Sequence, residues 1–164
     1  MTNYAALKTA LASATYAGQT DAQIVAALNA ATVAVQVDVP TQSVVDYLAL
    51  NGLLPTVRGW ANAAPTPPAT GLTAAQIAEA QTAAQTFGLM IGPPPLWPSL
   101  QMSDPTTNAQ ITGMVVALVA GGLMPQANAT AILAMGKTTV SQASLWGWPG
   151  NIIENDLIAA RAMP

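Results

Sequence analysis

Cysteine and histidine are both absent from this 164-residue chain, and only 7% of its residues are charged. Soluble globular chains place about a quarter of their residues in that class. Without cysteine there is no disulfide framework, no thiolate metal site and no thiol nucleophile. Without histidine, Ser-His-Asp and Cys-His catalysis are excluded as well. The four cations, Lys8, Arg58, Lys137 and Arg161, are scattered and outnumbered by seven acids, for a net charge of −3. Binding a phosphate backbone needs clustered basic residues, so nucleic acid is not an expected partner. Large aromatics are also scarce, at four Trp, three Tyr and one Phe, which leaves the core to Leu, Ile, Val and Met with Ala between close-packed helices.

Long apolar runs are missing too. The best, Ile111 to Met124, is interrupted by Thr112 and three glycines and falls short of the ~20 residues of a membrane span. Met1-Thr2-Asn3-Tyr4 does not open a basic region followed by an apolar stretch, so synthesis in a bacterial-type cytoplasm without export is expected.

What is present is an apolar fraction of 52%, enough for a real core, arranged at helical spacing. Leu7 and Leu11 share one face of a helix over about 3–14. Thr20-Asp21-Ala22-Gln23 reads as a capping box opening a helix that buries Ile24, Ala27, Leu28 and Ala31. A third helix begins at Thr41, with Val44, Tyr47 and Leu48 inward and Asn51-Gly52 ending it. A short one runs from Pro55 to Trp60. Thr73-Ala74-Ala75-Gln76 is a second capping box, for a helix to about Thr86 with Ile77, Ala80 and Ala84 on its apolar side. Ser103-Asp104-Pro105 caps a helix striped by Ile111, Met114, Val115 and Leu118, and Ala129, Ile132 and Leu133 mark the next. Ser141 caps a turn to Trp146. Asn151-Ile152-Ile153-Glu154 reads as a third box-like cap, with Asn151 leading, before a last helix from Leu157 to Ala162.

The expected fold is therefore all-α, short helices joined by tight turns and Pro-rich loops. One segment departs from it. Val33, Val35, Val37 and Val39 alternate with other residues, which is strand periodicity. With no visible partner, 33–39 reads as an extended connector able to pair with another chain in an assembly. The Pro-rich stretch 65–72 divides the chain into an N-terminal helical part, 1–64, and a C-terminal one, 73–164, which can also pack as one domain.

No constellation supports catalysis. Ser141 near Lys137 is better read as a helix cap than as a dyad. Glu154 and Asp156, the only close carboxylate pair, point to different faces of a helix and suit its N-terminal dipole, which makes glycan hydrolysis at Glu154 the least supported alternative. Asp21, Asp38, Asp46 and Asp104 are too dispersed for an oxygen-only metal site, and Gly121-Gly122 and Gly147 lack a phosphate-loop motif. No cofactor is expected. The candidate contact residues are Trp97, Trp146 and Trp148, in Pro93-Pro94-Pro95-Leu96-Trp97-Pro98 and Leu145-Trp146-Gly147-Trp148-Pro149, together with Val35 and Val37. Tryptophan is enriched at binding hot spots, and a proline-stiffened loop loses little entropy on docking. The competing reading is that these rings cover the protein's own helices.

Several segments resemble, in order, small structural proteins of tailed bacteriophages: Tyr4-Ala5-Ala6-Leu7-Lys8-Thr9-Ala10-Leu11, Tyr16-Ala17-Gly18-Gln19-Thr20-Asp21, Ala26-Ala27-Leu28-Asn29, Val39-Pro40-Thr41 before Tyr47-Leu48, and Ser141 to Arg161. The resemblance implies a non-enzymatic virion component at the tail, tail tip, baseplate or neck. Its partners would be other virion structural proteins and further copies of itself. The alternatives are a capsid decoration or cement protein and a helical assembly adaptor not retained in the particle.

Overall fold

The structure, a computed structural model, describes residues 3–164; Met1 and Thr2, read above for a signal segment, lie outside the described residues. In chain order the elements begin with α1 (Tyr4–Leu11), α2 (Asp21–Asn29), β1 (Ala31–Gln36) and β2 (Val39–Pro40). Helices α3 (Thr41–Leu50), α4 (Leu54–Trp60) and α5 (Ala74–Met90) follow, then β3 (Ser99–Leu100), α6 (Pro105–Ala120) and α7 (Gln126–Met135). Strand β4 (Lys137–Ser141), α8 (Gln142–Leu145) and α9 (Glu154–Ala162) complete the set.

The all-α expectation is overturned: the fold is mixed α/β, 57% helical and 9% strand, with two small antiparallel sheets. Helices dominate, but β1 pairs with β4 and β2 with β3. The partners are remote in sequence and too short or too polar to announce themselves. Lys137-Thr138-Thr139-Val140-Ser141 has one apolar residue, and β2 and β3 are two residues each. The 33–39 segment needs no outside chain to pair. Its first part is β1, held by β4, while Val39 belongs to β2 and faces Leu100.

The division of the chain also differs from expectation. One unit comprises 1–35 with 139–164, and a second comprises 36–138. The Pro-rich stretch is inside the second unit and not a boundary. The Ala69 N–H donates to the Gly121 carbonyl at 3.2 Å. Pro67 and Pro68 lie against Gly121 and Gly122, where a Cβ on Gly121 would come within 2.8 Å of the Ala80 methyl.

In the first unit, Leu7, Ile24, Leu28, Ala143, Trp148, Ile152, Leu157 and Ala160 form the core. The Thr20–Gln23 capping box is present with both hydrogen bonds. The last helix starts differently from expectation: its N-cap is Ile153, whose N–H donates to the Asp156 carboxylate at 3.0 Å. Isoleucine has no side-chain acceptor to offer in return, so this is half a box. Asn29 clamps the approach to that helix, its side chain donating to the Ile152 carbonyl at 2.7 Å and accepting from the Ile152 N–H at 2.9 Å.

In the second unit, α5 packs on α4 and α6, and Phe87, Leu48, Ile91, Leu100, Val115, Leu118 and Ile132 are fully buried. The Thr73–Gln76 box opens α5 as expected. The helix runs four residues beyond Thr86 and turns Ala80, Ala84, Phe87 and Met90 inward, leaving Ile77 exposed at its start. Gly88 explains how α4 comes so near: a Cβ there would sit 2.7 Å from both the Ala61 nitrogen and the Val57 oxygen. Each buried Leu, Ile or Val contributes about 1.5–3 kcal/mol of apolar burial.

Candidate interaction surface

Trp97 is the one expected contact residue whose ring stands well out, at 43% exposed. Its backbone is fixed from below. Thr41, buried at the start of α3, donates through Oγ1 to the Trp97 carbonyl at 2.6 Å, and its N–H donates to the Pro98 carbonyl at 3.0 Å. Next to these bonds, β2 and β3 pair Val39 with Leu100 and Pro40 with Ser99. Proline at 40 suits an edge strand, where its missing N–H costs no ladder bond. The indole walls a cavity of about 330 Å³ with Pro98, Ser99, Gln101, Thr107 and Gln110. Its lining offers an aromatic face, hydroxyls and amides, and no titratable group. Such a surface binds by stacking and hydrogen bonding and has no acid, base or metal ligand for chemistry.

The other four candidates divide differently. Trp148 is in the first unit's core, 9% exposed, its ring edge-on to Tyr4 with centroids 5.1 Å apart and planes at 70°. Trp146 packs half-buried against the same cluster. Within the first unit, then, the Leu145–Pro149 loop turns its two rings onto the protein itself. Val35 is half-buried on β1, and Val37, also half-buried, donates its N–H to the Gly136 carbonyl at 2.9 Å. Trp146 and Trp148 are brought into one cluster, while Trp97, Val35 and Val37 join no common site.

Sequence reasoning missed other exposed apolar side chains. In the second unit these include Leu50, 88% exposed at the end of α3, and Leu96, 63% exposed beside Trp97. In the first unit, Leu145, Ile153 and Ile158 are exposed. Helical spacing picks out the stripe that packs inward; the apolar residues left off that stripe were the available signal.

Four of the carboxylates, Asp21, Asp38, Asp104 and Asp156, are occupied structurally. Asp21 receives both guanidinium arms of Arg161, at 3.0 and 2.7 Å, and this hydrogen bonding holds its carboxyl below the usual range. The hydroxyl and N–H of Ser103 do the same for Asp38, and the Thr107 N–H does so for Asp104, the N-cap of α6. Asp156 accepts from the Tyr4 hydroxyl at 2.9 Å, which raises the phenol's pKa. Asp21, Asp38 and Asp104, with their pKa values lowered, are the opposite of a general acid, whose pKa must rise. Ser141 accepts the Ser144 N–H at 3.0 Å and caps α8. Among the described residues no three His, Cys, Asp or Glu side chains gather as a metal set, and no helix is long and apolar enough to cross a membrane.

Set against known proteins, the chain matches no family model, no curated protein and no solved structure.

Proposed function

We propose that this chain is a non-enzymatic structural component of a tailed bacteriophage virion. It would act at the tail, tail tip, baseplate or neck, in several copies and in contact with other virion proteins. The observation that carries the reading is the surface: Leu50, Leu96 and Trp97 stand exposed on a chain with only eleven charged residues to keep it solvated, four basic and seven acidic. Surfaces so poor in charge favour association, and Leu96 and Trp97 are exposed side by side in the chain, the kind of apolar exposure that marks contact sites. The hydrogen bonds from Thr41 hold Trp97 in place before any partner arrives, so docking forfeits little backbone entropy. The ordered resemblance of the segments from Tyr4 to Arg161 supports the phage assignment.

The test has two parts. Mass spectrometry of purified particles from the phage encoding this chain should find it as a stoichiometric component, and labelled antibody should place it on the tail. Label on the head would replace this reading with the capsid-cement one, and absence from the particle with the assembly-adaptor one. In the purified protein, Trp97→Ala should weaken association by about 2 kcal/mol or more if the ring is a hot spot, while the far-UV circular dichroism spectrum stays unchanged. Light scattering that shows a stable monomer at high concentration, with no binding to other particle proteins, would refute the assembly role.

A further inference from the structure

The cavity beside Trp97, of about 330 Å³, is lined by Trp97, Pro98, Ser99, Gln101, Thr107 and Gln110. The carbonyls of Trp97 and Pro98 are both taken by Thr41, so these two residues meet the cavity with their rings. Thr107 and Gln110 stand three residues apart on α6, which places them on one face. Helical residues reach the surface through their side chains, so this wall is a hydroxyl and an amide. Gln101 and Gln110 are exposed, and neither amide is bonded to another described residue. The frame around them is held by the protein itself. The Gln101 carbonyl accepts the Asp104 N–H at 3.3 Å, the Ser103 N–H donates to Asp38 at 3.0 Å, and the Asn108 amide donates to the Met102 carbonyl at 2.9 Å. A site fixed in this way loses little entropy when it is filled.

The lining discriminates between ligand classes. None of its residues is charged, and the charge bonded to its α6 wall is negative, since Asp104 accepts the Thr107 N–H at 2.7 Å. A phosphate chain or a nucleic-acid strand needs a basic groove and is disfavoured here. A polyproline peptide docks in a groove lined by several aromatics, and Trp97 is the single aromatic ring of this lining. A sugar ring matches both parts of it. Its C–H face lies against an indole, and its hydroxyls, which each donate and accept, meet amides and hydroxyls that do the same. The volume stands at the lower end of the range for ligand pockets, about 300–1,000 Å³.

We propose that this cavity binds an uncharged saccharide, either free or as part of a longer glycan. The proposal rests on the lining and not on the virion assignment. The chain has four tryptophans, whose indole N–H resonances can be followed separately by nuclear magnetic resonance in labelled protein. At least one of maltose, cellobiose and N,N′-diacetylchitobiose should shift the Trp97 signal saturably and leave those of Trp146 and Trp148 in place. Gln110→Ala, at an exposed helical position, should weaken that binding by about two- to tenfold, the range one hydrogen bond spans. Trp97→Ala, followed through the backbone amides of Ser99 and Thr107, should weaken it at least about tenfold, and Trp97→Phe should recover part of the loss. Affinity that stops rising beyond the disaccharide would support a free sugar as ligand, and affinity still rising at the hexasaccharide a glycan chain. No saturable shift with any of the three sugars, equal movement of Trp97, Trp146 and Trp148, or unchanged affinity in Gln110→Ala and Trp97→Ala would overturn the proposal. So would tighter binding of digalacturonate, which is charged, or of N-acetyl-Pro-Pro-Pro-amide. None of these outcomes depends on whether the chain is found in a virion.

Discussion

The two units hold themselves together by different means. The first is assembled from the two ends of the described chain, and polar bonds with specific geometry span the gap in sequence: Tyr4 to Asp156, Asn29 to Ile152, Asp21 to Arg161. The second is one continuous stretch, 36–138, built on close helix contacts at Gly88, Ala80 and Gly121 around a larger apolar cluster. Its long-range side-chain bonds, such as Thr41 to Trp97 and Ser103 to Asp38, fix loops and strands at the edge. Hydrophobic attraction does not specify register. A small core made from distant segments needs directional bonds to select one arrangement, while a larger core of interlocking helices selects its own by shape.

The largest expected effect tests the shape-selected core. Phe87→Ala removes a fully buried ring and should cost about 3–5 kcal/mol, seen as loss of hydrogen-exchange protection in α5 and α6. If α1 and α9 lose protection equally, the two units unfold together and the contrast between them is one of construction only. Trp148→Ala is the counterpart in the first unit, expected near 3 kcal/mol, with α5 protection unchanged and no separate effect on association of folded protein. Asn29→Ala removes both bonds to Ile152 and should cost about 2 kcal/mol, measured by denaturant unfolding. A loss below half a kcal/mol would show that polar stitching is not what holds that unit. Thr20→Ala and Thr73→Ala delete matched capping boxes, one per unit, for about 1 kcal/mol each; unequal losses would measure how far packing compensates a frayed start.

Acid titration gives the smallest and most selective effect. Asp21 has its pKa lowered by Arg161, and Asp38 and Asp104 by their serine and threonine donors. A depressed folded value means the stabilisation is complete above the unfolded pKa, near 3.9. It is lost as pH falls through the folded value, because the unfolded state then takes up the proton first. Asp21→Asn should flatten that part of the acid limb, most visibly at low salt, since the pair is exposed.

Much of the helical framework was legible because its signals are local. The boxes at Thr20–Gln23 and Thr73–Gln76, the cap at Asp104 and the Ile111–Val115–Leu118 stripe each lie within a few turns of sequence. Pairing was not legible. Strand periodicity at Val33 and Val35 is real, but nothing near it says that Lys137–Ser141 completes the ribbon. The Pro-rich stretch misled for the reverse reason: its composition reads as a linker, whereas Pro67 and Pro68 pack on Gly121 and Gly122. For the surface, proline and tryptophan density flagged two loops alike, and only tertiary context separates Trp97, held outward above Thr41, from Trp148, turned onto Tyr4.

The discontinuous first unit has a consequence in time. Leu7, Ile24 and Leu28 share their core with Ile152, Leu157 and Ala160, whereas residues 36–138 carry their whole core between themselves. In synthesis from the N-terminal side, α1 and α2 are therefore made before the second unit and wait for partners made after it.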